Sequence, residues 1–581
     1  MKRLIVTASA VICAWGLATQ VNARRPAEQE NSNAGTAQRR VIAIADEFVA
    51  ETFAHFPVRY PASGRYGELG DNSIAALRQW QQKEDGWIEA LRTIDPDLLE
   101  GTPARVIYGT MRERLEARRD RRVCRDELWR MSAADHWLTA MPTLLARQPV
   151  GSAELRRLAL ARFGMLARHI DTEIANLRQG LKEGFSTPKI IVQRNIRQLD
   201  AILSMPSETS PFFDPDRRAS TPEFVTEWRA LVTGQMVPAV IRYRNFLRDQ
   251  YLAAARDSIS ISEHPNSAAC FRALVRDYTS LRESPEALYD TYLQRLEDDT
   301  KFAAREIAGA AGGSADVRKK EQEIVAQPGA RFNSRDEVIP AVVALIDRFD
   351  AELPKVFSST PKQRIVVQPT PDLQEETGSF GFYAGGGIMR INMAHAMAPA
   401  GKLRLEGVVF HEAGHHVQAT LTRRGEIHRA LLMLRQPVFN EGWGDYVAQL
   451  AYERGLFSEN AAAAFRHASA QRLASDVVHL GVHVKGWSRA QAIDFLSRRV
   501  ARTPDEITRV VDRMTANPGE LLAYSAGRIK ILELRDRAKQ ALGPGFDLRE
   551  FHDRVLEHGS VTLPMLTETI ERWIAAKRMG P

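Results

Sequence analysis

The chain has 581 residues, 44% hydrophobic and 26% charged, with a formal charge of +7 from 79 basic and 72 acidic residues. That is the make-up of a folded protein too long for a single core, so two lobes are expected. No basic tract is interleaved with aromatics, which argues against a nucleic-acid partner.

The N-terminus reads as an export signal over residues 1–23. Lys2 and Arg3 precede the apolar run "LIVTASAVICAWGLA", and "VNA" ending at Ala23 resembles a small-residue cleavage site. Cys13 follows Ile12 rather than Gly or Ala, which speaks against lipid attachment. The expected location is therefore periplasmic or secreted. No later stretch approaches the roughly eighteen apolar residues of a membrane span, so no stable membrane insertion is expected after cleavage. Once the signal is removed only Cys124 and Cys270 remain, and they can pair as one disulfide or stay as two buried thiols.

Residues 24–40, "RRPAEQENSNAGTAQRR", are polar and read as a disordered leader. From 41 to 350 the apolar residues recur at three and four positions, as in "VIAIADEFVAETFAHF" and "VIPAVVALIDRFDAEL", which predicts a helical lobe. The texture changes between 363 and 393. "QRIVVQP" and "GIMRINM" are short β-type runs separated by the Gly- and aromatic-rich "GSFGFYAGG", and together they predict a small sheet. Helices resume at 403, so residues 351–581 form a second lobe with its chemistry between 403 and 456.

That chemistry lies in "GVVFHEAGHHVQAT", residues 407–420. His411 and His415 are four residues apart, so on a helix they fall within about 40° of one face and can converge on one metal ion. Glu412 turns to a neighbouring azimuth, where it reaches a water instead of the metal. His416 lies about 140° from His411 and is read as a packing residue. Leu405, Val408, Val409, Val417 and Leu421 mark the same helix as buried, and burying these polar groups without a metal would cost several kcal/mol. A catalytic zinc needs a third protein ligand and one open position. The zinc-peptidase class with a third histidine six residues on is excluded, because Gln418 and Leu421 stand at its glycine and histidine positions. "FNEGWGDYVAQLAYERG" instead supplies Glu441 on a second helix, and Asp445 one turn later suits a carboxylate that orients a ligand histidine. One Zn2+ per chain, held by His411, His415 and Glu441, is the expectation.

"HEAGHHVQ", "FNEGWGDYVAQL" and the run "NPGELLAYSAGRIKILELRDRAKQALGPGFDLREFHDRVLEHGSVTL" together resemble the bacterial domain-of-unknown-function 885 family (DUF885). The resemblance spans about 45 to 575, with its specific motifs after 375. It implies kinship with the glutamate-zincin metallopeptidases and a mainly α, two-lobed zincin-like fold with a deep cleft over the zinc. Many members carry two extra residues, including Pro-Gly, between the glutamate and the second histidine. This chain keeps the four-residue spacing a regular helix needs, so the substrate preference of those members does not carry over.

The expected reaction is metal-assisted hydrolysis of a peptide or other amide, with Glu412 as general base and then general acid. The resemblance points to the regions of Tyr524 and His483 for the donor to the developing oxyanion. His479 and His483 also stand four apart but have no carboxylate partner, so no second metal is expected. Arg472 and Arg528 are candidates for a substrate carboxylate. The run "GIMRINM", with Asn392, is expected to pair with an extended substrate as an edge strand. Some three hundred residues of amphipathic helices precede the motifs. Packed on the catalytic lobe, they would wall the site into a cleft that admits short unstructured peptides. Two other readings share this pattern, a hydrolase of a non-peptide amide and a zinc-containing binding protein without turnover. The intact Glu412 argues against the latter.

Overall fold

The computed structural model describes residues 12–131, 136–219, 221–308, 319, 322–371, 375, 379–422, 427–466, 468–500 and 502–579. The fold is mainly helical with one small sheet, as the periodicities predict. Residues 1–11 of the expected signal lie outside the described residues. The expected disordered leader is instead helical, because the first helix runs Ile12–His55 without a break. From Ala37 onward it buries an apolar stripe that includes Val41, Ala45 and Phe48. Among the described residues no helix is long and apolar enough to cross a membrane.

Among the described residues three large apolar cores and one small one form, and they do not divide at residue 350 as expected. The first joins Val41, Phe48, Trp87 and Ile107 to Phe349, Val409, Phe410, Trp443 and Phe551, so the N-terminal helices share one core with the motif-bearing ones, and they touch it at the helices Arg429–Met433 and Leu563–Met579. The second is built within residues 69–255 around Phe163, Trp228 and Tyr243. The third brings Trp129 and Leu274 against Val477 and Leu522, and the Cys124–Cys270 disulfide lies in it. Sequence periodicity shows that a helix has an apolar face; it does not show which distant face covers it.

Local chemistry sets the helices that surround the site. The helix Pro504–Ala516 starts in a reciprocal cap: Thr503 Oγ1 accepts the Glu506 N–H, and the Glu506 carboxylate accepts the Thr503 N–H. The helix Lys189–Leu203 buries Ile191, Val192, Asn195, Leu199 and Ile202, which leaves Arg194 and Arg197 on another face.

The sheet has the order β1-β3-β2, with β1 at Val366–Pro369, β2 at Gly381–Gly385 and β3 at Ile388–Ile391. β3 pairs with β1 in parallel and with β2 antiparallel. This corrects the expected edge: "GIMRINM" supplies the central strand, and the Gly- and aromatic-rich stretch read as a connection forms the edge strand β2. Two partners already satisfy the β3 backbone, so it has no ladder to offer a substrate.

Candidate metal centre

His411, Glu412, His415 and His416 lie on the helix Gly401–Leu421, the motif helix, whose Leu405, Val409, Phe410, Ala413 and Val417 face the core. The helix Pro437–Glu453, the acid helix, crosses it closely. Trp443 Nε1 donates to the Gly414 carbonyl at 2.9 Å. A Cβ on Gly444 would come within 2.6 Å of the His411 ring, so only glycine lets the acid helix pass beneath that imidazole. A third helix, Leu522–Leu542, packs on the acid helix where Gly442 meets Gly527. A Cβ on Gly527 would stand 1.8 Å from the Val438 carbonyl oxygen. This glycine contact brings Tyr524 to the centre, with its ring stacked on His411 at 5.9 Å between centroids.

The three predicted ligands converge. His411 Nε2 and His415 Nε2 are 3.1 Å apart, and Glu441 Oε2 lies 3.6 Å from the first and 4.0 Å from the second. A tetrahedral ion with bonds of about 2.0–2.1 Å keeps its ligands roughly 3.3 Å from one another, so a zinc ion fits this His-His-Glu set. All three ligand atoms lie within 4.8 Å of one another, and no other such group occurs among the described residues.

The groups behind the ligands set which ring nitrogens face inward. Asp445 Oδ1 lies 2.9 Å from His411 Nδ1, which places the proton on Nδ1 and leaves the Nε2 lone pair for a metal. Asp445 is held in turn by Arg472, with Nε to Oδ2 at 3.3 Å. Gln418 hydrogen-bonds His415 and donates its Nε2 to Asn440 Oδ1 at 2.7 Å, which ties the second ligand to the residue before Glu441. Burial opposes charge on His411, but its bonds to Asp445 and Glu441 outweigh burial and raise its pKa to about 10. Burial and the His411 charge push His415 down to about 4. Burial would likewise raise Glu441, yet His411 and His415, with a bond from Tyr524, hold it at about 2. The cluster is thus a carboxylate facing one cationic and one neutral imidazole, and a divalent cation would replace the proton that balances it.

Glu412 is buried, and its Oε2 accepts the Tyr383 N–H of β2 at 2.7 Å. Burial raises its pKa to about 7 against the pull of the His411 charge. His416, one turn on, does not face the ligands. Its Nε2 lies 2.7 Å from the Gln363 carbonyl oxygen and carries the proton, so Nδ1 accepts the Tyr383 hydroxyl at 3.2 Å. Glu412 and His416 therefore both anchor Tyr383, and the edge strand β2 is fixed beside the ligands.

These groups open onto a cavity of about 2270 Å³ lined by His411, Glu412, His415, Glu441, Tyr524 and all five residues of β2. Arg472 and Arg528 line it too, but each is engaged. Arg472 holds Asp445, and Arg528 Nη2 donates to Ser469 Oγ at 2.9 Å. His483 is a correction. It is buried in the third core, where Nδ1 accepts the Ile261 N–H at 3.3 Å and Nε2 faces the Met514 carbonyl at 3.2 Å. Burial drives its pKa down to about 3, and it does not line the cavity. His479 Nε2 likewise accepts the Gly519 N–H, so that pair is structural. Asn392 is also corrected. It is fully buried, caps a short helix by accepting the His395 N–H, and donates to the Glu375 carbonyl. The sequence reading passed over Tyr383, Gln418 and Gly444. Only Gly444 carried a signal, since a glycine inside a helical pattern marks a close approach.

A family model described as "Bacterial protein of unknown function (DUF885)" matches residues 57–570, and the chain belongs to that family. No curated protein matches it. Among solved structures, "the putative lipoprotein from Colwellia psychrerythraea" superposes with a TM-score of 0.82 at 21% identity, over 93% of this chain and 99% of that one. "A putative lipoprotein of unknown function from Shewanella oneidensis" gives 0.69 at 16% identity, over 91% and 99%. At these identities the likeness is one of fold.

Proposed function

We propose that this member of the DUF885 family is an exported zinc-dependent peptidase acting on short unstructured peptides. The observation that carries the reading is the convergence of His411 Nε2, His415 Nε2 and Glu441 Oε2 next to a buried carboxylate, Glu412, on one cavity wall. Zinc held there supplies the Lewis acidity that makes water a nucleophile near neutral pH. The rest of the work falls to the chain. Glu412, aimed by the Tyr383 N–H, takes the proton of the attacking water and returns it to the amine nitrogen as the peptide bond breaks. Asp445 keeps His411 in the tautomer that presents Nε2. Tyr524 lines the cavity and is the remaining candidate donor for the carbonyl oxygen as it turns negative, provided its hydroxyl swings from Glu441 to the substrate; His483 is buried away from the cavity.

The kinship with glutamate-zincin peptidases belongs to this proposal and draws support from the His-His-Glu donor set. The edge strand β2 lines the cavity and supports peptide recognition, because an extended chain can pair with it at positions other than the Tyr383 N–H, which Glu412 holds. Helices from the N-terminal half wall the cavity, including Trp137–Arg147 and Lys189–Leu203, which favours flexible substrates over folded ones. The basic, apolar and small-residue run at 1–23 supports export, and the Cys124–Cys270 bond suits an oxidising compartment.

The test uses full-length protein stripped by a chelator and reloaded with zinc. It compares a panel of short peptides with one of them displayed in the rigid loop of a folded carrier. Zinc-dependent cleavage of the free peptides with little of the carrier is the expected result. No cleavage of any peptide by zinc-loaded protein would overturn the proposal.

A further inference from the structure

Away from the metal centre the cavity wall is rich in arginine. Arg194 and Arg197, three residues apart on the helix Lys189–Leu203, line it, as does Arg147 at the end of Trp137–Arg147. Arg509 lines it from Pro504–Ala516, a helix packed against Lys189–Leu203. Arg435, whose charge is felt at His415, lines it on the metal side. Among the described residues none of these five has a carboxylate within ion-pair distance.

The acids on the same wall are mostly spoken for. Glu506 is bridged to Arg404, and Asp512 binds Arg489 at 3.0 Å. Among the described residues Asp505 is the one acid there, outside the centre, without such a partner. Elsewhere the chain pairs its arginines freely, as in Arg105–Glu568 and Arg276–Glu113, so a general surplus of arginine does not explain the unpaired group. Like charges gathered in a walled cavity repel one another and focus a positive field inward. Burial lowers the pKa of Arg194; the attraction of Asp512 opposes that, and neighbouring Arg197 adds a smaller push downward.

We propose that this wall is a subsite for acidic side chains, so that the substrates of the metal centre are short acidic peptides bearing several Asp or Glu residues. Guanidinium groups pair with carboxylates through two parallel hydrogen bonds, and arginines on successive helices can take successive carboxylates along an extended chain. The inference rests on the peptidase reading for its catalytic outcome but not for its binding outcome.

The experiment measures fluorescence anisotropy of a labelled, glutamate-rich short peptide and of its glutamine twin. The host is full-length zinc-loaded protein carrying Glu412→Gln, and the unsubstituted protein is assayed for turnover of both peptides in parallel. The expected result is about tenfold tighter binding of the acidic peptide at low salt, with the gap closing as salt rises. Adding Arg194→Gln with Arg197→Gln should remove most of that preference while the melting curve stays unchanged. Equal affinity for the two peptides would overturn the subsite without any variant. Turnover of both at equal affinity would leave the peptidase and remove the subsite. A binding preference with no turnover of either would do the reverse.

Discussion

His411 and Asp445 face each other across two helices, with Nδ1 and Oδ1 2.9 Å apart, and that single bond decides which imidazole nitrogen points at the centre. Asp445→Asn keeps the shape but ends the charge-assisted bond. Zinc affinity should fall by about 10–100-fold, as for other carboxylates behind a metal-binding histidine. Competition with a chromophoric chelator reads this directly, and unchanged affinity would show that His411 is oriented by something else.

Glu412→Gln should leave one zinc per chain and an unaltered melting temperature while hydrolysis falls by about 10²–10⁴. The amide still accepts the Tyr383 N–H but can no longer take a proton from water. Elemental analysis and peptide assays on the same preparation separate the two effects. Activity within a few-fold of the unsubstituted protein would assign the base to another group.

Gly444→Ala places a methyl 2.6 Å from the His411 ring, where the acid helix crosses the motif helix. The overpacking should cost about 1–3 kcal/mol and tilt the imidazole away from Glu441. Denaturant melts and zinc content should both fall. Ala448→Gly, at another buried position of the acid helix, is the control that should lower stability without lowering zinc content.

Acid stability should depend on Asp277, buried between Arg121 Nη1 at 2.7 Å and Arg114 Nη1 at 2.6 Å. Burial alone would raise its pKa, but the two guanidinium groups win and hold it at about 2, below the ordinary value of about 3.9. A depressed carboxylate contributes its stability above the unfolded-state pKa. About 2 kcal/mol should therefore be present at neutral pH and drain away between about pH 4 and pH 2. Melting temperatures across that range, compared with Asp277→Asn, check the sign: the variant should start less stable and show a shallower acid slope.

Much of the candidate metal site was legible in the sequence. Four-residue spacing places His411 and His415 on one helix face whatever surrounds the helix, and Glu441 with Asp445 repeats that logic one element later. The helical character and the small sheet were legible for the same reason, since backbone periodicity is a local property. What periodicity lacks is the identity of the opposing surface. His479 and His483 have the same spacing as His411 and His415, yet their partners are backbone groups of Gly519, Ile261 and Met514, brought near only by packing of the third core. The strand read as an edge became central because residues 381–385 folded back beside it. The Cys124–Cys270 bond spans 146 positions, and the arginine wall is assembled from helices more than three hundred residues apart. Spacing along the chain determined which side chains share a face, and only long-range burial of apolar surface decided what each face meets.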